Sequence, residues 1–384
     1  MWNKVKQRFC LLLSATPVIY PKYNNTLSSN DTIESGTGMG RLNTNNESSN
    51  VTIFDKKIDP ETFRKDTFRP NPYSLFSGRN SMELSNEISL ILGKELSSIH
   101  LADFKDGECN IRIHDNIRGN NVYLIQSTSI PDGHENLFEL LFTISASQRA
   151  AAREVIAVIP YFGYCRQDRM RLEKRETIAA ADVILMLQSV GVDHVITVDI
   201  HHRQMQGFFG SNIKVDNLES LRTVVPPLLQ KDLFNPVIVC PSDTGVYRAE
   251  KLKELFEKEG LICDIAFITT IKNEVIQFPE LDHHKSIYTE LDTHKKDKNY
   301  YTEMIGNVKN KDVIIIDDMI DTGSRIITAA NHCKNNGALR IYAFATHGLF
   351  SNNAIDKINN CNALDEVFVT NTIDIMNTNE YSSN

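Results

Sequence analysis

Residues 313–325 read Val-Ile-Ile-Ile-Asp-Asp-Met-Ile-Asp-Thr-Gly-Ser-Arg. The β-branched apolar run predicts a buried strand, and the small polar residues after it predict a loop that opens a helix. In that loop Gly323 lets the backbone approach a phosphate, and Thr322 and Ser324 supply hydroxyl donors. The helix N-terminus directs unpaired N–H groups at the anion. The pattern therefore predicts a cradle for a monophosphate.

Two adjacent acids, Asp317 and Asp318, end the apolar run. Carboxylates repel a phosphate, so we expect these two to accept hydrogen bonds from vicinal sugar hydroxyls or to hold Mg2+ beside it. The ligand indicated is a ribose phosphate. A plainer interpretation makes Asp321 and Thr322 a helix cap after an ordinary strand, but it leaves the two acids unexplained.

Short apolar runs alternate with helical stretches from about residue 75 onward. Continuous apolar strands separated by helices are typical of parallel sheets buried on both faces, so the predicted fold class is α/β. The predicted strands are residues 122–126, 155–160, 195–199, 237–240, 263–269, 313–316 and 341–345. The predicted helices are residues 135–153, 178–190, 247–259 and 326–335, with a further helix between an N-cap at Ser81 and Gly93. Ligands of such sheets bind where the strands end and the helices begin.

The composition excludes several classes of protein. The 384 residues are 41% hydrophobic and 23% charged, as in a folded protein of two or three domains. The 41 basic and 49 acidic residues give a net charge of -8, which offers no basic field to a nucleic acid or membrane surface. The 7 cysteines lie far apart, which argues against a disulfide framework or thiolate zinc site.

Residues 1–70 are predicted to precede the folded domains as a disordered or targeting extension. Lys4, Lys6 and Arg8 come before the apolar residues 9–13, in the order of a signal peptide, but the apolar run is short. Residues 23–50 are mostly Asn, Ser, Thr and Gly and are predicted to be disordered. We expect a cytoplasmic protein, with organellar targeting by the extension as the alternative.

Four segments together resemble one protein family. Residues 313–325 resemble the phosphoribosyl-diphosphate loop of type I phosphoribosyltransferases. Three more segments narrow the resemblance to the ribose-phosphate diphosphokinases, also called phosphoribosyl-diphosphate synthetases. They are Phe-Lys-Asp-Gly-Glu at 104–108 with Ile-Arg-Gly at 117–119, Ile-Pro-Tyr-Phe-Gly-Tyr-Cys-Arg-Gln-Asp-Arg at 159–169, and Val-Asp-Ile-His at 198–201 leading to Gln-Gly-Phe-Phe at 206–209.

The resemblance implies two similar phosphoribosyltransferase-like domains, each a mainly parallel sheet flanked by helices. Their expected limits are 75–215 and 216–375, with the ribose-phosphate loop in the second and a tail at 376–384. The implied reaction moves the diphosphoryl group of Mg-ATP to the C1 hydroxyl of ribose 5-phosphate. The implied partners are ATP, ribose 5-phosphate, Mg2+ and further subunits, as a homo-oligomer (a hexamer of dimers) or a hetero-oligomer with a paralogue. No nucleic acid or membrane is expected.

The resemblance also implies a role for individual residues. Phe104 offers an aromatic face to adenine, although the turn between two strands is the simpler interpretation of its segment without the resemblance. The expected ATP-binding residues are Phe104, Asp106, Glu108, Arg166 and Gln167, and the expected ribose-phosphate residues are Asp317, Asp318, Asp321, Thr322, Gly323, Ser324 and Arg325. The expected metal-binding residues are His201 and Asp243, and the expected catalytic residues are Lys272 and His201. His202, by contrast, is expected at the surface.

Three departures from the family pattern leave two functions open. Ser242 stands where the family has a metal-linked aspartate, with Asp243 one residue later. Lys272 is the nearest candidate for a run of Lys and Arg in a mobile loop, and Arg325 replaces a hydroxyl residue. The first function is an active diphosphokinase; the second is a non-catalytic subunit that associates with an active paralogue. A salvage phosphoribosyltransferase fits less well, because it needs neither the adenine motif nor the second domain.

Overall fold

A computed structural model describes residues 18–20, 72–130, 132–170, 175–241, 245–272 and 300–374. In these residues the strands are β1 (Val18–Tyr20), β2 (Tyr73–Ser77), β3 (Ile99–Asp103), β4 (Cys109–Ile113), β5 (Asn121–Ile125), β6 (Glu154–Ile159), β7 (His194–Val198), β8 (Lys214–Leu218), β9 (Val237–Cys240), β10 (Asp264–Lys272), β11 (Tyr300–Ile305), β12 (Val313–Ile320), β13 (Ile341–Gly348) and β14 (Glu366–Val369). The α-helices are α1 (Met82–Leu92), α2 (Gly133–Arg149), α3 (Ala179–Ser189), α4 (Val225–Leu229), α5 (Val246–Lys258), α6 (Ser324–Asn335) and α7 (Ala354–Asn359). None of these helices combines the length and apolar character needed to cross a bilayer.

The first sheet is parallel throughout, in the order β2-β5-β6-β7-β8. Apolar residues bury both faces: one buried cluster contains Ile144 of α2 and Ile184 of α3, and another contains Ile88 of α1. The strands β3 and β4 form a separate antiparallel hairpin. Because all five strands run the same way, their carboxyl ends lie along one edge of the sheet.

The second sheet has the order β1-β14-β13-β12-β9-β10-β11. Its five central strands are parallel, and the edge strands β1 and β11 run antiparallel to their neighbours. Together the two sheets confirm the α/β class and the two flanked parallel sheets predicted from the sequence. The domain limits remain a prediction; β8, the last strand of the first sheet, ends at Leu218.

The apolar interior of the first sheet receives side chains from the second half of the chain. Met319, Leu349 and Ile373 lie in the same buried cluster as Phe162 and Phe209. Both sheets belong to one compact unit of the protein. This shared packing brings β12 and the loops after β13 and β14 close to the loops of the first sheet.

Two local features differ in detail from the sequence predictions. The strand predicted at 313–316 continues as β12 to Ile320, because β13 stays in register beside it as far as Gly348. Ser81 occupies the predicted N-cap position of α1, but its side chain does not cap the helix; its hydroxyl accepts a hydrogen bond from the Ser127 N–H at 2.8 Å instead. Gly93 ends α1 with a φ of 62°, which confirms the predicted stop.

Candidate active site

Two polar contacts join the carboxyl ends of the two sheets. The Nδ1 atom of His201, which follows β7, lies 2.5 Å from Oδ2 of Asp318 in β12. The Nη1 atom of Arg166, which follows β6, lies 2.6 Å from Oδ2 of Asp321. The structure therefore brings together four of the residues selected from the sequence, two from each domain.

The loop after β12 turns sharply into α6. Gly323 has a φ of 74°, and a Cβ atom there would lie 3.3 Å from Cγ1 of Ile358, so both the backbone conformation and the space favour glycine. The hydroxyl of Thr322 donates to Oγ of Ser324 at 3.2 Å. This places two hydroxyls at the N-terminus of a 12-residue helix, where backbone N–H groups are unpaired.

Asp317 and Asp318 lie inside β12 and are each only 3% exposed. The side chains of Val313 and Ile315 pack in the cluster that contains α6, and those of Ile314 and Ile316 pack in the cluster that contains α5. Because successive strand residues alternate between faces, Asp317 continues the α6 face and Asp318 the α5 face. Consistent with this, Oδ2 of Asp317 accepts from Nη1 of Arg325 at 3.1 Å, whereas Asp318 bonds His201.

The two acids differ in their affinity for a proton. Burial, and then the negative charge of Asp318, raises the pKa of Asp317 above its usual range. Burial would also raise the pKa of Asp318, but the hydrogen bond from His201 and the charge of Arg248 hold that pKa below its usual range. Asp318 thus loses its proton at lower pH than Asp317 does.

One ring nitrogen of His201 is hydrogen-bonded to Asp318, and the other can bind a further group. Since a carboxylate only accepts hydrogen bonds, Nδ1–H of His201 donates to Asp318, which leaves Nε2 for another group. Its ring lies 4.3 Å from the ring of His202. The expectation that His202 is a surface residue is wrong, because its Nδ1 lies 2.5 Å from Oδ2 of Asp168 and its side chain is mostly buried.

The loop that carries Arg166 and Gln167 is fixed by a glycine. A Cβ atom on Gly163 would lie 2.4 Å from the Thr128 carbonyl oxygen, and the Gly163 N–H donates to the Thr128 hydroxyl at 2.7 Å. The backbone N–H of Gln167 donates to the Tyr164 carbonyl at 2.9 Å. Both Arg166 and Gln167 are exposed, so their side chains can reach a ligand from this turn.

The segment selected for adenine recognition forms the turn of the β3–β4 hairpin. The N–H of Phe104 donates to the Glu108 carbonyl at 2.8 Å, and Oδ1 of Asp106 accepts from the Glu108 N–H at 3.2 Å. Phe104 is 54% exposed. Among the described residues no hydrogen bond or ion pair joins Phe104, Asp106 or Glu108 to the His201–Asp318 pair.

Two expected residues cannot be placed. Asp243, like Ser242, lies outside the described residues, and Lys272 is described only as the backbone end of β10. The described ranges contain no group of three His, Cys, Asp or Glu side chains that could hold a metal ion.

A cleft of about 460 Å³ opens beside His201. Its lining includes Arg169 and Asp199, and also Arg248, which is absent from the residues predicted from the sequence. Arg248 lies in the first turn of α5, the helix that follows the loop after β9, and that position was the signal available in the sequence. Its charge lowers the pKa of Asp318, so it contributes to the electrostatics of the site.

Comparisons with known proteins agree with this arrangement. Residues 73–191 match the model of the N-terminal domain of ribose phosphate pyrophosphokinase, and residues 276–381 match that of the phosphoribosyl synthetase-associated domain. A ribose-phosphate pyrophosphokinase of Haemophilus ducreyi is 39% identical over 300 residues, which are 78% of this chain and 86% of the relative. One of Vibrio parahaemolyticus is 38% identical over 302 residues, which are 78% of this chain and 87% of the relative.

Solved structures agree as well. The crystal structure of phosphoribosylpyrophosphate synthetase from Mycobacterium smegmatis matches with a TM-score of 0.66 and 30% identity, over 79% of this chain and 90% of that one. Two flanked parallel sheets that meet at an acidic phosphate-loop strand define the class as phosphoribosyltransferase-like. Within that class, the chain belongs to the ribose-phosphate pyrophosphokinase family, whose members are also called diphosphokinases.

Proposed function

We propose that the protein transfers the diphosphoryl group of ATP to ribose 5-phosphate. The C1 hydroxyl oxygen attacks the β-phosphorus and gives up its proton to the solvent, the bond from that phosphorus to the α,β-bridging oxygen breaks, and AMP leaves with that oxygen. The products are 5-phosphoribosyl 1-diphosphate and AMP. The observation that carries the proposal is the contact of the β12 acids and the phosphate loop with His201 and Arg166 of the other sheet, in a chain of this family.

The phosphate loop binds the 5-phosphate of the sugar. Gly323 leaves room for the backbone to approach, Thr322 and Ser324 present hydroxyls, and α6 presents N–H groups. Asp321 begins this loop, and Arg325 adds a cation in the first turn of α6. These groups orient the sugar so that C1 points toward the ATP side.

Asp317 and Asp318 accept hydrogen bonds from the sugar hydroxyls. Both acids already have cationic or imidazole partners, namely Arg325 for Asp317 and His201 for Asp318. Sugar binding therefore displaces Arg325 from Asp317, whereas Asp318 can accept from a sugar hydroxyl and keep its hydrogen bond from His201, because a carboxylate accepts several hydrogen bonds. This displacement frees the Arg325 guanidinium to approach the 5-phosphate, because a guanidinium binds phosphate oxygens through paired N–H groups.

The donor set at His201 fits a bound Mg2+ with its phosphates. A histidine that donates one ring N–H to a carboxylate presents its other nitrogen in a fixed orientation, as metal-binding histidines do. His201, with Asp243, would hold the ion directly or through water. When bound, Mg2+ neutralises phosphate charge. The rest of the site, by positioning ATP and sugar, contributes independently of the ion.

ATP binds from the first domain. The guanidinium of Arg166 and the amide of Gln167 bind phosphate oxygens, and the Phe104 ring stacks on adenine with Asp106 and Glu108 near the amino group. The hairpin turn has no contact with the His201–Asp318 pair in the described residues, and a shared site explains this: each hairpin serves a neighbouring subunit. We therefore propose an oligomer; its size and the cytoplasmic location remain predictions.

Lys272 stabilises the charge that develops during transfer. It ends β10, in the same sheet as β12, and its ammonium can follow the moving phosphate. His201 lies on the opposite side of the interface, beside Asp318. The two residues together carry the electrostatic stabilisation that dominates phosphoryl transfer.

The test is AMP formation by the purified protein. We expect AMP release from Mg-ATP that depends on ribose 5-phosphate, and a loss of at least about 10²-fold in His201→Asn. His332→Asn, on α6, is the matched control and is expected to retain activity. AMP release that does not depend on ribose 5-phosphate would contradict the proposal.

The alternative function is a non-catalytic subunit that associates with an active paralogue. Ser242, at the position of a metal-linked acid, is the observation that favours it. In that case the wild-type protein alone is inert and changes the rate of an active relative when the two are mixed.

A further inference from the structure

We propose that Thr346 and Asp199 are positioning residues that hold His201 in place. Two contacts fix the loop after β7 to the second sheet, Asp199 to Thr346 and His201 to Asp318, and together they are called the clamp. The inference rests on the proposed function for its catalytic consequence, but the clamp itself can be tested without activity.

The clamp begins at a strained residue of the loop after β7. Asp199 has a φ of 41°, a left-handed conformation that costs a non-glycine residue energy unless neighbouring groups hold it. Its backbone N–H donates to the Leu218 carbonyl at 2.9 Å, and the next N–H, of Ile200, donates to Oδ1 of Asn217 at 3.0 Å. His201 follows directly, so the conformation of Asp199 sets the direction of its imidazole.

Donors from outside the loop hold the Asp199 carboxylate. Its Oδ2 accepts from the Ser220 N–H at 3.0 Å, from the Ser220 hydroxyl at 2.5 Å and from the Thr346 hydroxyl at 2.8 Å. The two hydroxyl groups are themselves 2.8 Å apart. Ser220 and Thr346 are both buried, so water does not compete for these bonds.

Thr346 belongs to the second sheet, beside the acid that bonds His201. The register pairs Asp317 with Ala345 and Met319 with His347, which sets Asp318 and Thr346 side by side on neighbouring strands. Parallel strands lie about 4.8 Å apart, a distance that residues two positions apart in a loop can span. The loop therefore contacts β13 through Asp199 and β12 through His201.

A buried histidine supports the same loop from β13. Nε2 of His347 lies 3.4 Å from the Asp199 carbonyl oxygen, and Nδ1 lies 2.9 Å from Oγ1 of Thr372. A carbonyl only accepts, so Nε2 carries the proton and Nδ1 accepts from the Thr372 hydroxyl. Burial lowers the pKa of His347 and keeps this ring neutral. The carbonyl and the carboxylate of Asp199 are thus both bound by adjacent residues of one strand.

The clamp explains why these polar groups are buried at the domain interface. Small displacements of a group that acts on a substrate reduce the rate sharply, about 10²-fold for 1 Å. With Thr346 holding Asp199 and Asp318 holding His201, the imidazole cannot shift without breaking a contact to the second sheet. The ATP-binding side chains Arg166 and Gln167 are not part of the clamp.

The variant Thr346→Val removes the donor and keeps the shape of the side chain. We expect kcat to fall about 10- to 100-fold with KM values for both substrates within about twofold. Thr346→Ser restores the hydroxyl and should restore kcat. The matched control is Thr197→Val, because Thr197 is a buried threonine in β7 whose hydroxyl has no hydrogen-bond partner in the described part of the chain.

A spectroscopic measurement separates the clamp from the enzyme activity. In protein with 15N-labelled histidine, the ring signals of His201, assigned by their loss in His201→Asn, should shift in Thr346→Val and not in Thr197→Val. If Thr346→Val does not fold, Ser220→Ala removes the other hydroxyl donor and should show the same shift. An unchanged kcat with unchanged His201 signals overturns the proposal, as do equal losses in Thr346→Val and Thr197→Val. An inert wild type would contradict the proposed function only, and the His201 signals would still decide the clamp.

Discussion

Nη1 of Arg166 and Oδ2 of Asp321 lie 2.6 Å apart across the domain interface, 155 positions apart in the chain. The pair ties the proposed phosphate-binding arginine of the ATP site to the first acid of the sugar-phosphate loop. If Arg166 binds ATP phosphates as proposed, Asp321 competes with ATP for the guanidinium.

Removing the acid of this pair should strengthen ATP binding. We expect Asp321→Asn to lower the Kd for ATP, in the absence of sugar, by up to about fivefold, as an exposed ion pair is worth about 0.2 to 1 kcal/mol. Titration calorimetry with Mg-ATP measures this. Asp356→Asn, the same change at an exposed acid of α7, is the control. Weaker ATP binding in Asp321→Asn would show that Arg166 needs the acid to hold its orientation.

Removing both β12 acids should separate the two substrates. In Asp317→Asn with Asp318→Asn, ribose 5-phosphate binding should fall far more than ATP binding, because the acids accept hydrogen bonds from the sugar. Separate titrations of each ligand into the folded double variant give the comparison. Equal losses for both ligands would contradict the assignment of these acids.

Asp317→Asn alone should stabilise the ligand-free protein at neutral pH. The pKa of Asp317 is raised in the folded state, so the folded protein holds this proton more tightly than the unfolded chain. Wild-type stability is therefore lost as the pH rises through the folded-state pKa, and a neutral amide avoids that loss. We expect a gain of roughly 1 to 2 kcal/mol at pH 8 that shrinks towards pH 4. Urea unfolding at the two pH values measures it, and a gain independent of pH would refute this origin.

Lys272→Ala should lower kcat by about 10²- to 10³-fold with little change in the KM for ATP. The reason is that its ammonium acts on charge present only during transfer. Steady-state AMP formation measures both constants, and Lys258→Ala, at the exposed end of α5, controls for loss of a lysine. Full activity in Lys272→Ala would show that this residue does not take part in catalysis.

Phe104→Ala should weaken ATP binding, because it removes the exposed ring at the hairpin turn. If sites are shared, mixing this variant with Asp317→Asn, Asp318→Asn should regain activity, since one subunit then supplies an intact hairpin and another intact acids. Phe234→Ala, at another exposed ring, is the control. Failure to regain activity after demonstrated subunit exchange would mean that each chain builds its own site.

The sequence predicted the α/β class and most strand positions, because parallel strands buried on both faces give continuous apolar runs. The sequence did not predict the features that depend on contacts between distant parts of the chain. The end of β12 was predicted before Asp317, since no pattern in the sequence shows that β13 extends beside the acids. His202 was predicted at the surface, since its partner Asp168 lies 34 positions away in the chain. Arg248 and Thr346 were missed for the same reason, as their roles depend on which strands become neighbours.

The alternation of side chains along β12 determines what happens if this strand pairs in the wrong register. Asp317 and Asp318 face opposite sides, and each finds its partner on one side only. A slip of β12 by a single residue would move one acid into the environment of the other and the second acid into a position that an apolar neighbour now occupies. Such misregistered chains would lose the site and much of the core together. Fidelity of strand pairing in this protein is therefore enforced by charge as well as by apolar packing.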